Sequence, residues 1–247
     1  MPRVLVAGGT GVLGRYLVEA LILGGHTVRV LSRGGPEDNP WPEAEWAHAD
    51  LATGTGVAEA AGGADVVVHA ATTSAFTPYG VDLRTALLPS PDVDVDGTSR
   101  LIEAAHSAGV PRLVYVSIVG IERLPLQYYR YKLHAEELVT ASELDWAILR
   151  ATQFHSLIDS MLQAAASLPL MGLPTNLRFQ PLDPAEVAGW LRNAIQDGAT
   201  GRLPDVGGPE VLSLGELAAI WLKARGEKRR LIHLPVPGKM AHAFREG

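Results

Sequence analysis

The chain has 247 residues, a net charge of −6 and no cysteine, and 47% of its residues are hydrophobic. This composition is typical of one globular α/β domain, and the lack of thiols excludes disulfides, thiol catalysis and thiolate metal sites. The sequence has neither a basic stripe nor an apolar run that could span a bilayer, and its first predicted strand begins at Arg3, so we expect a cytoplasmic protein that binds neither nucleic acid nor membrane.

The start of the chain has the pattern of a strand, a tight glycine turn and an amphipathic helix. Gly8 can adopt backbone angles that are closed to other residues, Gly11 lets a diphosphate approach the backbone, and Gly14 lets the helix pack closely on the strand. The N–H groups of the helix N-terminus then face the phosphates. The turn therefore predicts a dinucleotide site at Gly8, Thr10, Gly11, Val12 and Leu13. A purely structural turn is the alternative.

The second predicted strand, residues 26–33, ends where dinucleotide-binding folds choose between cofactors. A fold that selects NAD usually has an acidic residue there, which binds the ribose 2′-hydroxyl. This chain has Ser32 and Arg33 instead, and a guanidinium suits a 2′-phosphate. We therefore expect NADPH to be preferred over NADH, with a surface arginine as the alternative interpretation.

Two further predicted strands end in residues that suit the same cofactor. Residues 45–50 form the third strand, and at its end Asp50 and Leu51 are placed to bind adenine, unless Asp50 only caps a helix over residues 55–61. Residues 65–71 form the fourth strand, which is apolar almost throughout, as buried parallel strands are. The small residues that end it leave space for the cofactor: Ala70, Ala71 and Thr72. His69 lies inside this strand and is interpreted as a packed histidine.

Residues 76–91 form the first long irregular segment, which we interpret as a wall of the substrate pocket. Asp92, Asp94 and Asp96 follow it. Their spacing of two does not converge on one helical face, and acidic residues are favoured in the first turn of a helix, so no metal site is expected.

Strands over residues 112–117 and 144–150, with a helix over residues 128–142 between them, continue the alternation. They predict a doubly wound parallel sheet, a Rossmann fold. Residues 1–247 are interpreted as a single domain in which residues 151–247 contribute a small substrate-side lobe. The predicted elements of this lobe are helices over 154–168, 183–194 and 214–224, an extended segment over 177–182 and an edge strand over 203–206.

A possible catalytic group lies at the carboxyl end of the fifth predicted strand and on the next helix. Ser117 ends the strand, and Tyr128 and Lys132 are four residues apart, hence neighbours on one helix face. An ammonium beside a phenol lowers the phenol pKa, which makes the tyrosine useful as an acid in carbonyl reduction. Tyr129 points away toward packing, and Tyr131 is a competitor for the role of Tyr128.

Several segments together resemble the short-chain dehydrogenases/reductases, best the extended and atypical branch that includes NmrA-like NAD(P)-binding proteins. The segments are residues 8–14, 68–71, 95–98, 116–117 and 128–132. The resemblance implies a Rossmann domain, NADP(H) as cofactor, and Ser117, Tyr128 and Lys132 in the catalytic positions, with Lys132 also reaching the nicotinamide ribose. It also places three residues after the sixth strand near the nicotinamide: Thr152, Gln153 and Phe154.

Asp94 departs from this family pattern, because related enzymes commonly have an asparagine in the equivalent segment. Three functions follow from the sequence: an NADPH-dependent reductase of a small carbonyl or conjugated compound, a non-catalytic NmrA-like NADP(H) sensor, and an isomerase or epimerase that recycles its nicotinamide. A small-molecule substrate and a monomer or homodimer are expected.

Overall fold

Thirteen strands and seven helices are present in the described part of this computed structural model. The described residues are 1–34, 40–73, 76–77, 80–82, 84–85, 88–123 and 126–235. The strands are β1 Arg3–Ala7, β2 Thr27–Ser32, β3 Glu45–His48, β4 Val66–His69, β5 Phe76–Thr77, β6 Gly80–Val81, β7 Arg112–Ile118, β8 Asp145–Ala151, β9 Met171–Leu173, β10 Arg178–Phe179, β11 Gly201–Arg202, β12 Leu212–Ser213 and β13 Leu231–His233. The helices are α1 Val12–Leu23, α2 Val57–Ala61, α3 Gly97–Ser107, α4 Gln127–Thr140, α5 His155–Ala166, α6 Pro184–Gln196 and α7 Leu214–Ala224.

The main sheet has seven strands in the order β3-β2-β1-β4-β7-β8-β11. Every neighbouring pair in it is parallel. The strand order reverses at β1, which pairs with β2 on one side and β4 on the other. Ligands of such sheets bind at the carboxyl ends of the strands beside this reversal. The prediction of a doubly wound parallel sheet is therefore confirmed.

Helices cover both faces of the sheet, which explains why its strands are apolar without alternation. On β1, Val4 and Val6 pack into one core cluster with α1 and α6, whereas Leu5 and Ala7 pack into a second cluster with α2, α3 and α4. The helix α6 begins as its sequence predicts, since the Asp183 side chain accepts a hydrogen bond from the Ala185 N–H at 2.8 Å and Pro184 opens the first turn.

The residues after β8 divide between two places. Helix α6 and strand β11 return to the main sheet, whereas α5 and α7 form a third apolar cluster with β9. Two pairs of short strands border this cluster: β9 with β13 in parallel, and β10 with β12 in antiparallel orientation. Within the described part of the chain, no helix is both long enough and apolar enough to cross a membrane.

The structure differs from the sequence prediction mainly in its short elements. The edge strand lies at Gly201–Arg202, and residues 203–206 continue along β8 by separate hydrogen bonds, in which Leu203 and Val206 donate to β8 and Val206 accepts from Thr152. The pair of β9 and β13 was not predicted, because each strand has three residues and the partner is distant in sequence. The acidic run forms a π-helical turn, Asp92–Asp96, that leads into α3.

Candidate active site

The turn between β1 and α1 is shaped by close approaches that only glycine permits. Gly8 has a φ of +87°, and a Cβ there would lie 2.6 Å from the backbone nitrogen of Ala71 at the end of β4. A Cβ on Gly14 would lie 2.0 Å from the carbonyl oxygen of Gly8. The strand ends and the first turn of α1 therefore meet backbone to backbone, with no room for side chains between them.

The N-terminus of α1 fits the diphosphate of a dinucleotide. The first N–H groups of a helix have no intrahelical partners. Gly11 is the N-cap residue of α1 and has no side chain that could accept hydrogen bonds from them. Thr10, Gly11 and Val12 are exposed, whereas Leu13 is buried in the core beneath them. Exposed N–H donors at the positive end of a helix dipole are suited to phosphate oxygens.

The candidate adenosine end of the site lies at the carboxyl ends of β2 and β3. Arg33 is exposed there, while the Ser32 hydroxyl accepts from the Gly34 N–H at 3.2 Å. The Asp50 carboxylate accepts from the Ala52 N–H at 2.9 Å, and α2 begins later, after Gly56. The alternative that Asp50 caps this helix is therefore wrong, because its carboxylate closes the turn that follows β3 instead.

The turn after β3 is fixed from the neighbouring helix. The Arg100 guanidinium on α3 donates to the carbonyl oxygens of Leu51 and Ala52, both at 2.8 Å. Leu51 itself is buried beneath this turn. Two carbonyls held by one guanidinium leave the adenosine end of the site with a preformed backbone.

Four polar side chains from three segments meet at the carboxyl end of β4, and we call Thr72, Asp94, Tyr128 and Lys132 the Tyr128 cluster. The Tyr128 hydroxyl lies 2.8 Å from the Thr72 hydroxyl, which donates to Asp94 Oδ1 at 2.7 Å. Lys132 Nζ lies 3.8 Å from the same Asp94 oxygen and donates to the Val116 carbonyl at 3.0 Å. Asp94 and Lys132 are buried, whereas Thr72 is exposed and Tyr128 is partly exposed.

The tyrosines of α4 point in the directions that helical geometry predicts. Tyr128 and Lys132 share one face and both reach toward Asp94. The Tyr131 hydroxyl points elsewhere and donates to the Pro89 carbonyl at 3.4 Å. Tyr129 packs its ring against that of Tyr128, with the ring centres 5.7 Å apart.

The structure places Ser117 away from the Tyr128 hydroxyl. Ser117 is 2% exposed, and its neighbour is Glu136, one turn beyond Lys132 on α4. Burial opposes the ionisation of Glu136, but interactions with Arg150 and then with Ser117 hold its pKa below the usual value. Glu136 binds Arg150 through both carboxylate oxygens, at 2.8 and 2.7 Å, and also binds Arg202. Glu136 thus ties α4 to β8 and β11, and Ser117 lies beside this network with a buried hydroxyl that has no hydrogen-bond partner among the described residues.

The electrostatics of Tyr128 are opposite to the sequence expectation. The pKa of Tyr128 is raised, first by burial and then by the Asp94 charge. Burial lowers the pKa of Lys132, while the carboxylates of Asp94 and Glu136 oppose this effect. The expectation that Lys132 lowers the phenol pKa is therefore wrong for the cofactor-free protein, because the ammonium faces Asp94 rather than the phenol.

The segment after β8 is held as an extension of that strand. Thr152 donates its hydroxyl to the Gln180 carbonyl at 2.6 Å, and its N–H donates to Val206. The Gln153 carbonyl accepts from the Leu182 N–H, and Phe154 forms the N-cap of α5. All three predicted residues are partly exposed at the sheet edge.

Ala70 and Ala71, which follow β4, lie between the glycine turn and the Tyr128 cluster. Ala70 and Ala71 are partly buried, and Ala70 donates its N–H to the Ala7 carbonyl. His69 is buried, and its Nε2 pairs with the Thr98 hydroxyl at 2.9 Å, as expected for a packed histidine. In the part of the chain that the structure describes, no three His, Asp or Glu side chains come together as metal ligands.

Two parts of this arrangement were missed by sequence reasoning. The bonds of Asp94 to Thr72 and to the Thr73 N–H join a helix start to a strand end 21 or more residues away. No local pattern predicts such a pairing. Glu136 had a usable signal, since Tyr128, Lys132 and Glu136 recur at intervals of four on one face of α4.

A family model described as NAD(P)H-binding matches residues 8–160, which include the glycine turn and the Tyr128 cluster. The chain belongs to this family. Ceramide reductase of Caulobacter vibrioides is 29% identical over 248 residues, covering 95% of this chain and 74% of the relative. An uncharacterized protein of Mycobacterium tuberculosis is 29% identical over 171 residues, and there the match covers 68% of this chain but only 17% of the relative.

Solved structures show the same fold. UDP-glucose 4-epimerase of Thermus thermophilus in complex with NAD is 21% identical, with a TM-score of 0.75 over 98% of this chain and 93% of that one. A short-chain dehydrogenase/reductase superfamily protein of Agrobacterium tumefaciens with bound NAD is 21% identical, with a TM-score of 0.71 over 96% of this chain and 87% of that one. The resemblance to extended and atypical short-chain dehydrogenases/reductases is confirmed at the level of the fold, and the chain belongs to the NAD(P)H-binding family.

Proposed function

We propose that this protein is an NADPH-dependent oxidoreductase that reduces a small carbonyl or conjugated compound, with Tyr128 as the acid. The observation that carries the proposal is the Tyr128 cluster, whose partly exposed phenol lies on the same sheet edge as the glycine turn. A relative over most of the chain is named a reductase, which supports the same reaction class. When bound, the reduced nicotinamide would supply a hydride to the substrate.

The protein's own residues have separate tasks in this reaction. Tyr128 holds a proton at its hydroxyl and gives it to the substrate oxygen as charge develops there. Lys132 is fixed by the Val116 carbonyl and Asp94, so its ammonium is held close to Tyr128 on α4, where it would bind the nicotinamide ribose. Thr152, Gln153 and Phe154, which are partly exposed after β8, would border the nicotinamide.

The preference for NADPH rests on the end of β2. An exposed guanidinium at Arg33 and a hydroxyl at Ser32 offer donors to a 2′-phosphate, and the sequence has no acidic residue at these positions. Fluorescence titration with NADPH and NADH tests this preference, and equal affinity for the two cofactors would contradict it.

A non-catalytic NADP(H) sensor of the NmrA-like kind is the second candidate function. One observation favours it: the pKa of Tyr128 is raised, and its hydroxyl is paired with Thr72. Such a phenol is a weak acid until binding changes its surroundings. Tight NADPH binding without turnover, together with an oligomeric state that depends on the ratio of NADPH to NADP, would support the sensor.

The experiment is a screen of quinones, aldehydes and ketones in which the absorbance of the reduced nicotinamide measures turnover. For a substrate that the protein reduces, Tyr128→Phe should lower turnover by about 10² or more and leave NADPH affinity nearly unchanged, as expected for loss of a general acid. Tyr131→Phe is the matched control, since the Tyr131 hydroxyl contacts the Pro89 carbonyl instead, and it should matter little. Full activity of Tyr128→Phe would show that this phenol is not the acid.

A further inference from the structure

We propose that Thr72, oriented by Asp94, is the hydroxyl that stabilises ionised Tyr128, in place of Ser117. The proposal deepens the proposed function, because it names a further catalytic residue and a positioning residue for the same site. Thr72 touches the reacting oxygen of Tyr128, whereas Asp94 acts through Thr72.

The direction of the hydrogen bonds follows from counting protons. Thr72 has one hydroxyl proton, and it donates that proton to the Asp94 carboxylate at 2.7 Å. Asp94 has no proton to return, since its oxygens also receive the Thr73 N–H and face the Lys132 ammonium. In the 2.8 Å contact between Thr72 and Tyr128, the phenol is therefore the donor.

The proton transfer then requires the hydroxyls of Tyr128 and Thr72 to turn, and the phenol O–H turns first, from Thr72 to the substrate oxygen. The O–H bond of Tyr128 breaks, the proton goes to the substrate oxygen, and the electron pair stays on the phenolate. The Thr72 hydroxyl rotates from Asp94 to the phenolate and donates to it, with no covalent change in Thr72. A proton from solvent later restores the phenol, and Thr72 turns back to Asp94.

The position of Ser117 excludes it from this task in the described structure. On β7 its side chain faces Glu136, which follows Tyr128 by eight residues, or about 12 Å along the helix axis. Its buried hydroxyl has no hydrogen-bond partner among the described residues, although it lies near enough to Glu136 to lower the pKa of that carboxyl. Ser117 therefore does not donate to the Tyr128 oxygen, whereas the Thr72 hydroxyl lies 2.8 Å from it.

The two partners of Tyr128 act on its pKa with opposite signs, which gives a sharp test. After burial, the Asp94 charge raises the pKa of Tyr128, whereas the hydrogen bond of Thr72 lowers it. The other charged or titratable groups near the phenol, among the described residues, are Tyr129 on the same helix, Tyr115 on β7 and Lys132 one turn along. None of these changes in the variants below.

The experiment measures the ionisation of Tyr128 in the protein without added cofactor, and NMR of protein labelled with [ζ-13C]tyrosine detects it. The chain has only six tyrosines, and the Tyr128 signal is the one lost in Tyr128→Phe. Asp94→Asn should move the midpoint of Tyr128 to lower pH. Adding Thr72→Val to Asp94→Asn should move it back to higher pH, because the phenolate loses its donor.

Two control variants make this experiment a specific test of Thr72. Thr140→Val makes the same change at an exposed position at the far end of α4, and should leave the midpoint of Asp94→Asn unchanged. Ser117→Ala should also leave it unchanged. Three outcomes would overturn the proposal. The titration midpoint of Tyr128 in Asp94→Asn could be unchanged by Thr72→Val, or it could rise with Ser117→Ala. The midpoint in Asp94→Asn could also be as high as in the unmodified protein.

Kinetics separate this proposal from the proposed function. With a carbonyl substrate found in the screen, Thr72→Val should lower kcat about tenfold or more, as for a lost hydrogen bond to a charged group, with the KM for NADPH unchanged. Thr72→Ser should restore most of the loss. If Tyr128→Phe keeps full activity, the proposed function fails whatever the NMR shows. If Tyr128→Phe is inactive but Thr72→Val is not impaired, only the inference about Thr72 fails.

Discussion

The glycine turn and the Tyr128 cluster lie on the same edge of one sheet, but they are built in opposite ways. The glycine turn is made of backbone from one continuous stretch, and its function depends on side chains being absent. The Tyr128 cluster is made of side chains from three segments, joined by one ion pair and hydrogen bonds. The first region is therefore sensitive to added atoms and indifferent to pH, whereas the second is sensitive to charge.

The largest effect should come from adding one methyl group to the glycine turn. Gly8→Ala places a Cβ 2.6 Å from Ala71 at a positive φ, so we expect a loss of stability of about 1–3 kcal/mol from overpacking beyond the strain of the backbone angle. NADPH affinity should fall at least about tenfold, since 1.4 kcal/mol of lost contact suffices for that. Urea unfolding and fluorescence titration measure the two effects.

The matched control for that substitution is Gly109→Ala. Gly109 also has a positive φ, +68°, but nothing lies within 4 Å of an added Cβ. The control should cost only the left-handed backbone strain, about 1–2 kcal/mol, and leave NADPH affinity unchanged. If both variants lost stability and affinity equally, close packing at the turn would not be the cause.

The Tyr128 cluster should make the stability of the protein depend on pH, because the charge of its Lys132 acts on the buried His69. Burial and then the Lys132 charge lower the pKa of His69 from 6.5 to about 3. The folded state keeps this imidazole neutral while the unfolded state protonates it below pH 6.5. Stability is therefore complete above pH 6.5 and falls as the pH drops toward 3, by at most about 1.4 kcal/mol per pH unit.

Urea unfolding between pH 7 and about 5.5 tests this slope above most of the range where carboxylates titrate. His69→Gln keeps a group that can pair with the Thr98 hydroxyl and removes the titration, so the pH dependence should flatten even if the variant is less stable throughout. An unchanged slope in His69→Gln would show that another group carries it.

The smallest effect on the fold should come from Arg33. Its side chain lies at the end of β2, in the cofactor-binding region that the backbone of the glycine turn dominates. Because Arg33 is exposed, Arg33→Ala should change the free energy of unfolding by less than about 0.5 kcal/mol. The ratio of NADPH to NADH affinity should fall about tenfold, since a charge-assisted bond to a phosphate is lost. Lys223→Ala, which removes a distant positive charge from α7, should leave the ratio unchanged, and an unchanged ratio in Arg33→Ala would remove Arg33 from cofactor selection.

The sequence by itself determined the order of elements, the parallel sheet and the glycine turn, because each depends on residues close together in the chain. Periodicity marked α1 and α4, and the run of apolar residues marked β4 as a strand buried on both faces. The spacing of Tyr128 and Lys132 correctly placed both on one helix face.

Only the tertiary structure decided how the polar side chains are paired. The family resemblance implied a catalytic position for Ser117, the sequence indicated that Lys132 would lower the phenol pKa, and Asp94 was a departure from the family pattern. In the fold, β4 ends beside the start of α3, so Thr72 and Asp94 meet and take both Tyr128 and Lys132 as partners. Strand pairing over long sequence distances sets such contacts. A hydrogen bond also requires the donor–acceptor distance to be correct to within tenths of an ångström, and no local sequence pattern specifies distances that precisely.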